Sequence, residues 1–338
     1  MGGQVTTLTL DAPFPHFGGK RRAAAIIWRA LGDVGGYVEP FCGSAAVLLS
    51  RPAFTGARVE TLNDVDGWLV NTWRAIKLAP DDVAAHCAGP VTEIDYHARL
   101  AWLQERRTPD LVAWLEGDPE HHDAKAAGWW LYVAACGIGD PWNAGPWRVV
   151  DGHLRKVGNA GQGVKRELPH LGDAGQGVNR ELPHLGDAGK GVDQRLEAYM
   201  RALALRLRRV RITCGDWRRV LKPSVTRATA GPGAIGILLD PPYSVSGDLY
   251  AATNSGAWCS IAGEVREWCA GFGSLLRIVL CGYDDEHDEL LELGWRKELG
   301  KSSGGGYSNT SRNRERLWLS PSCLDEGSGL FDLQQAES

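Results

Sequence analysis

The sequence predicts an α/β protein built on a doubly wound sheet, with a mainly helical and loop-rich region inserted into it. Residues 37–79 run strand, Gly/Ser turn, helix, strand ending in an acid, helix, which is the mononucleotide-binding half of such a sheet. Strand-like apolar runs return at 210–216, 235–239 and 277–283. Between them, residues 81–204 change character, being rich in Trp, then in Gly and Pro, and ending in a tandem repeat.

The elements follow in order. Residues 1–12 read as a short leader or edge strand, and Phe14–Lys20 as a compact Gly-containing turn before a helix over about 21–31. Gly35-Gly36 breaks that helix, and Tyr37–Phe41 is a strand entering a Gly/Ser turn and a helix that runs to about Ser50. Val59–Asp64 is a second strand and Trp68–Ala79 a helix. Helical pieces at 81–87, 96–106 and 124–136 follow, then Gly145-Pro146-Trp147-Arg148-Val149 with Gly152. Residues 158–171 and 172–185 match at 12 of 14 positions, and a truncated third copy runs from Gly186 to Val192. A unit this short with this much Gly fits a loop rather than a solenoid. It reads equally as a DNA-facing loop presenting Arg166, His170, Arg180 and His184 or as a duplicated surface insertion. A last strand covers Leu317–Leu319, and 321–338 is expected to be a loose tail.

Composition narrows the class. A hydrophobic share of 43% with 23% charged residues fits a soluble globular chain. No apolar stretch approaches the roughly 18 residues of a membrane span, and no signal-peptide pattern opens the chain. The eight cysteines are scattered with no Cys-x-x-Cys pair, and the nine histidines show no ligand spacing. No metal site, no disulfide and a reducing, cytoplasmic location are therefore expected. Net charge is −4, yet 201–227 holds nine Lys or Arg against Asp216 alone. Lys297, Lys301, Arg312, Arg314 and Arg316 form a second basic group. Such clusters either neutralise phosphates or form a solvated face.

Chemistry concentrates at Asp240-Pro241-Pro242-Tyr243, directly after the apolar run 235–239. A carboxylate and the Pro241 carbonyl can accept the two hydrogens of a planar amine, and Tyr243 can stack on the ring that bears it. The prolines stiffen the edge by fixing φ. Alone, the tetrapeptide is also an ordinary turn. Its companions are Phe17-Gly18-Gly19-Lys20, then Val38-Glu39-Pro40-Phe41-Cys42-Gly43-Ser44, then Asn63-Asp64-Val65-Asp66, in that order.

This ordered set resembles the Dam-like, alpha-order family of adenine-N6 DNA methyltransferases, of the phage or prophage type. The resemblance covers roughly 13–80 and 205–320 and implies a discontinuous Rossmann-like catalytic domain there. It makes 81–204, with the repeat 158–192, the target-recognition region. It implies S-adenosylmethionine as cofactor and double-stranded DNA as partner, and it allows a separate restriction nuclease; no endonuclease constellation stands out in the chain itself. Catalysis would fall to Asp240, Pro241, Pro242 and Tyr243. Cofactor contacts would come from Phe17, Gly18, Gly19, Lys20, Glu39, Pro40, Phe41, Gly43, Asp64 and Asp216.

Several of these have a second reading. Asp64 reads as a ribose ligand or a helix N-cap. Glu39 orients the methionine end of the cofactor or satisfies nearby backbone groups. Lys20 reaches the base pocket or DNA, or is a surface lysine. Phe17 or His16 meets the cofactor adenine, or Phe17 is core. Asp216 contacts cofactor or caps a helix. Two positions depart from the family pattern: Ala45 stands where relatives carry a second glycine, and His16 where they often carry Trp. The alternatives are cytosine-N4 transfer in the same pocket, with RNA as a weaker substrate, and a silent DNA-binding protein of the same fold.

Overall fold

The computed structural model describes residues 10–14, 20–52, 58–89, 91–106, 110–118, 120–137, 147–150, 153–156, 192–224, 234–242, 257–300 and 315–325. Phe17, Gly18, Gly19, Tyr243, His16, the repeat up to 191, Lys301, Arg312 and Arg314 lie outside them.

The centre is a seven-stranded sheet. Its strands are β1 (Gly36–Glu39), β2 (Val59–Asp64), β5 (Val210–Cys214), β6 (Ile235–Leu239), β7 (Arg277–Tyr283), β8 (Arg296–Leu299) and β9 (Glu315–Leu319). A separate antiparallel hairpin pairs β3 (Trp147–Val150) with β4 (His153–Lys156). The sheet order is β5-β2-β1-β6-β7-β9-β8. Strands β1, β2, β5, β6 and β7 are mutually parallel, while β9 lies antiparallel between β7 and β8. The chain winds outward from β1 through β2 to β5, then returns to the other side of β1 as β6. The order therefore reverses between β1 and β6, and in open α/β sheets the crevice at that switch point is where ligands bind.

Side chains alternate between the two faces of the sheet with period two. Tyr37, Leu238, Val279, Cys281, Leu317 and Leu319 face one layer; Val38, Ile237, Leu239, Ile278, Leu280 and Trp318 face the other. The first layer contains α1 (Ala24–Leu31), α2 (Ala46–Leu49), α3 (Gly67–Leu78), α4 (Pro80–Cys87), α5 (Glu93–Glu105), α6 (Asp110–Gly117), α7 (Ala124–Cys136) and α8 (Val192–Leu207). The second is held by α9 (Ala257–Phe272) and a 3-10 turn over Trp217–Val220.

The expected boundaries at 80/81 and 204/205 are not breaks in packing. Helix α8 buries Leu196, Met200, Leu203 and Leu207, a stripe spaced four, three and four, in the same core as Trp73, Val83 and Leu131. Arg74, buried in α3, donates to the carbonyls of Leu115, Asp118 and His121 and so ties α6 to the layer. Residues 321–325, expected in a loose tail, are packed: Cys323 is buried, and the Leu324 amide donates to the Ala30 carbonyl at 2.9 Å.

Among the described residues, no helix is long and apolar enough to cross a membrane and no group of three or more His, Cys, Asp or Glu is placed to hold a metal.

Candidate functional site

Because five strands are parallel, their carboxyl ends share one edge, and β9 enters at that edge because it runs the other way. Register aligns Tyr283 of β7 with Glu315 of β9 and Asp64 of β2 with Cys214 of β5. The edge thus carries Asp216, Asp64, Glu39, Asp240 and Glu315 in spatial order. Glu39 and Asp240 flank the switch point.

The loop after β1 is a tight turn. Gly43 has φ +45° and Ala45 φ +50°, both left-handed. Gly43 adopts this at no steric penalty, whereas Ala45 is strained by about 1 kcal/mol or more. The turn is fixed by the Ala45 amide donating to the Cys42 carbonyl at 2.7 Å and the Trp73 indole donating to the Gly43 carbonyl at 2.9 Å. Helix α2 is a single turn, too short for a substantial dipole.

Ala45 has no side chain able to cap α2, and Glu39 does so from β1. Its Oε1 accepts from the Leu48 amide at 2.8 Å and from the Tyr37 hydroxyl at 2.7 Å. Glu39 is buried, and burial raises its carboxyl to about 8 despite those two donors. Of its two expected roles, satisfying backbone is therefore visible in the structure.

Asp64 is not the helix cap. That role belongs to Asp66, whose carboxylate accepts from the Trp68 amide at 2.9 Å. Asp64 instead bridges inward, Oδ2 accepting from the Gly43 amide and Oδ1 from the Asp66 amide, both at 3.1 Å. Burial, reinforced by Asp66, raises it to about 6 even though the amides of Asp66, Gly43 and Val65 favour the anion. Each oxygen keeps acceptor capacity beyond one amide.

Asn63, which sequence reasoning treated only as the start of the acidic motif, is the clamp of this edge. Fully buried, it donates to the carbonyls of Pro40 (3.0 Å) and Gly215 (2.9 Å) and accepts from the Thr213 hydroxyl (2.9 Å). The ends of β1, β2 and β5 are thereby held in fixed relation.

Asp216 takes the capping role of its two readings. It accepts from the Arg218 amide at 2.8 Å and pairs with the Arg218 guanidinium. Phe41 is half-buried, its ring 6.1 Å from that of Trp217.

Lys20 is not a surface lysine. It is only 4% exposed, with its ammonium 2.7 Å from Asp240 and 2.8 Å from Glu315. Burial alone would lower its pKa, but Asp240, Cys281 and Glu315 outweigh that and hold it well above the ordinary range. Asp240 stays 22% exposed while Glu315 is buried. Pro241 is buried and Pro242 half-buried beside it.

The basic cluster of 201–227 is paired with acids of other elements at four of its nine positions. Arg201 pairs with Asp81, Arg206 with Glu60, Arg218 with Glu264 and Arg219 with Glu116. In the second group, Lys297 pairs with Asp288 at 2.7 Å. The clusters read as phosphate contacts are thus, at these five positions, spent within the fold. Comparison of the chain with protein-family models and with curated proteins finds no match to either.

Proposed function

We propose that the protein is a site-specific DNA methyltransferase that transfers a methyl group from S-adenosylmethionine to the N6 amine of an adenine turned out of the duplex. The observation that carries this reading is the meeting of Asp240-Pro241-Pro242 with Glu39-Pro40-Phe41 across the switch point, beside the Gly43 turn and Asp64.

The donor set fits the cofactor. Asp64 has acceptor capacity for vicinal hydroxyls, and Gly43 offers close backbone approach at its side. When bound, S-adenosylmethionine supplies an electrophilic methyl on a sulfonium. The chain does the rest by positioning. The Asp240 carboxylate and the Pro241 carbonyl accept the two hydrogens of the amine, which turns its lone pair toward the methyl. Lys20 fixes the Asp240 side chain at 2.7 Å, so little reorganisation is needed as charge develops on the amine.

Target recognition falls to the inserted segments. The β3–β4 hairpin carries Arg148, Arg155 and Lys156 on its strands, with Arg148 directly across from Arg155. Arg201 and Arg206 of α8 are engaged with Asp81 and Glu60, and the basic residues of this hairpin are the proposed source of phosphate contacts. The reading is tested by label transfer from methyl-labelled S-adenosylmethionine to unmethylated duplex DNA. Wild type should transfer, and Asp240→Ala should lose transfer while still binding cofactor.

A further inference from the structure

We infer that Glu315 is a positioning residue for this reaction, dividing the positive charge of Lys20 so that Asp240 remains a strong acceptor for the target amine; this rests on the function proposed above. Three observations carry it. Glu315 lies at the first position of β9, on the strand face shared with Leu317 and Leu319, so alternation turns it into the α1 layer. Cys281 and Tyr37 face that same layer from β7 and β1, and Lys20 enters it just ahead of α1. Finally, Lys20 is almost equidistant from the two carboxylates, at 2.7 and 2.8 Å.

A buried lysine needs one counter-ion, and Asp240 would suffice. A second buried carboxylate is costly unless something requires it. With Glu315 present, the group of three carries net charge −1 rather than zero, and that charge lies where an amine becomes more positive as it is methylated. With Glu315 neutralised, the ammonium turns wholly onto Asp240 and weakens it as an acceptor. Glu315 does not touch the target base in this account; it acts through Lys20.

The test is Glu315→Gln, which keeps size and one acceptor oxygen. Single-turnover methyl transfer should fall at least tenfold, with affinity for S-adenosylmethionine within about twofold of wild type. Independently of activity, a cycle of Lys20→Met, Glu315→Gln and the double variant should show coupled unfolding free energies, the double costing less than the sum. If Glu315→Gln does not fold, Glu315→Asp gives the same comparison, with the carboxylate withdrawn from Lys20. Coupled stability with an unchanged transfer rate would overturn the inference, as would additive stabilities. If wild type itself transfers no methyl group, the function fails, whereas the stability cycle still reads the Lys20–Glu315 link.

Discussion

The side-chain amide of Asn63 donates to the carbonyl of Pro40 at 3.0 Å, joining the second strand of the sheet to the loop that follows the first. The same amide reaches Gly215, so one buried residue sets the spacing of three strand ends. Asn63→Ala leaves two carbonyls and the Thr213 hydroxyl without that partner and should cost about 3 kcal/mol of stability. It should also weaken S-adenosylmethionine at least tenfold. Chemical denaturation and calorimetric titration check the two effects separately.

Stability should depend on pH through two buried groups of opposite sign. Glu39, raised from 4.5 to about 8, binds a proton more readily in the folded state. Its stabilisation is complete below pH 4.5 and is lost as pH rises through 8, by about 5 kcal/mol. His287 is fully buried against Trp318 and lowered by burial from 6.5 to about 4. It stays neutral when folded, so stability falls by about 3 kcal/mol as pH drops from 6.5 to 4. Between pH 4.5 and 6.5 these two slopes oppose each other, and Asp64, raised from 3.8 to about 6, tips the balance, so stability declines from about pH 4.5 to 8. Glu39→Gln keeps the acceptor for Leu48 and Tyr37 and should abolish the decline between pH 6.5 and 8, which denaturation midpoints across pH would reveal.

Cofactor affinity should depend on pH through Asp64. Its carboxyl titrates near 6, so it loses acceptor strength as pH falls through that value. Wild-type affinity for S-adenosylmethionine should drop below pH 6. Asp64→Ala should bind about ten- to a hundredfold more weakly at neutral pH, as expected for loss of bonds to a charged group. Its binding should also lack this pH dependence.

Ala45 is left-handed and fully buried. Ala45→Gly relieves about 1 kcal/mol of strain and loses a methyl group worth about 0.8 kcal/mol, so stability should stay within about 1 kcal/mol of wild type. Ala45→Val, β-branched at positive φ, should cost about 2 kcal/mol or more. Thermal unfolding distinguishes the pair.

Much of the frame was readable because it rests on local pattern. The runs Tyr37–Phe41, Val59–Asp64 and Ile235–Leu239 became β1, β2 and β6, and their acidic or Gly-bearing ends met at one edge. The helix over 124–136 was also anticipated. What was missed depends on contacts far apart in sequence. Glu315 sits between Arg314 and Arg316 and drew no role from the sequence, although its alternation with Leu317 and Leu319 was a sign that it points inward. Lys20 finds Asp240 across 220 positions, and nothing local distinguishes it from an exposed lysine. Helix α8 was hidden because its arginines drew attention from the stripe at Leu196, Met200, Leu203 and Leu207. The ion pairs of the basic cluster were invisible for a related reason, since its acidic partners Glu60, Asp81, Glu116 and Glu264 lie in other elements.

The most direct measurement is nucleoside mass spectrometry of unmethylated duplex DNA after incubation with the protein and labelled S-adenosylmethionine. The account predicts labelled N6-methyladenine from wild type and none from Asp240→Ala. N4-methylcytosine would contradict the base assignment, and no labelled nucleoside from a protein that demonstrably binds the cofactor would contradict DNA methylation itself.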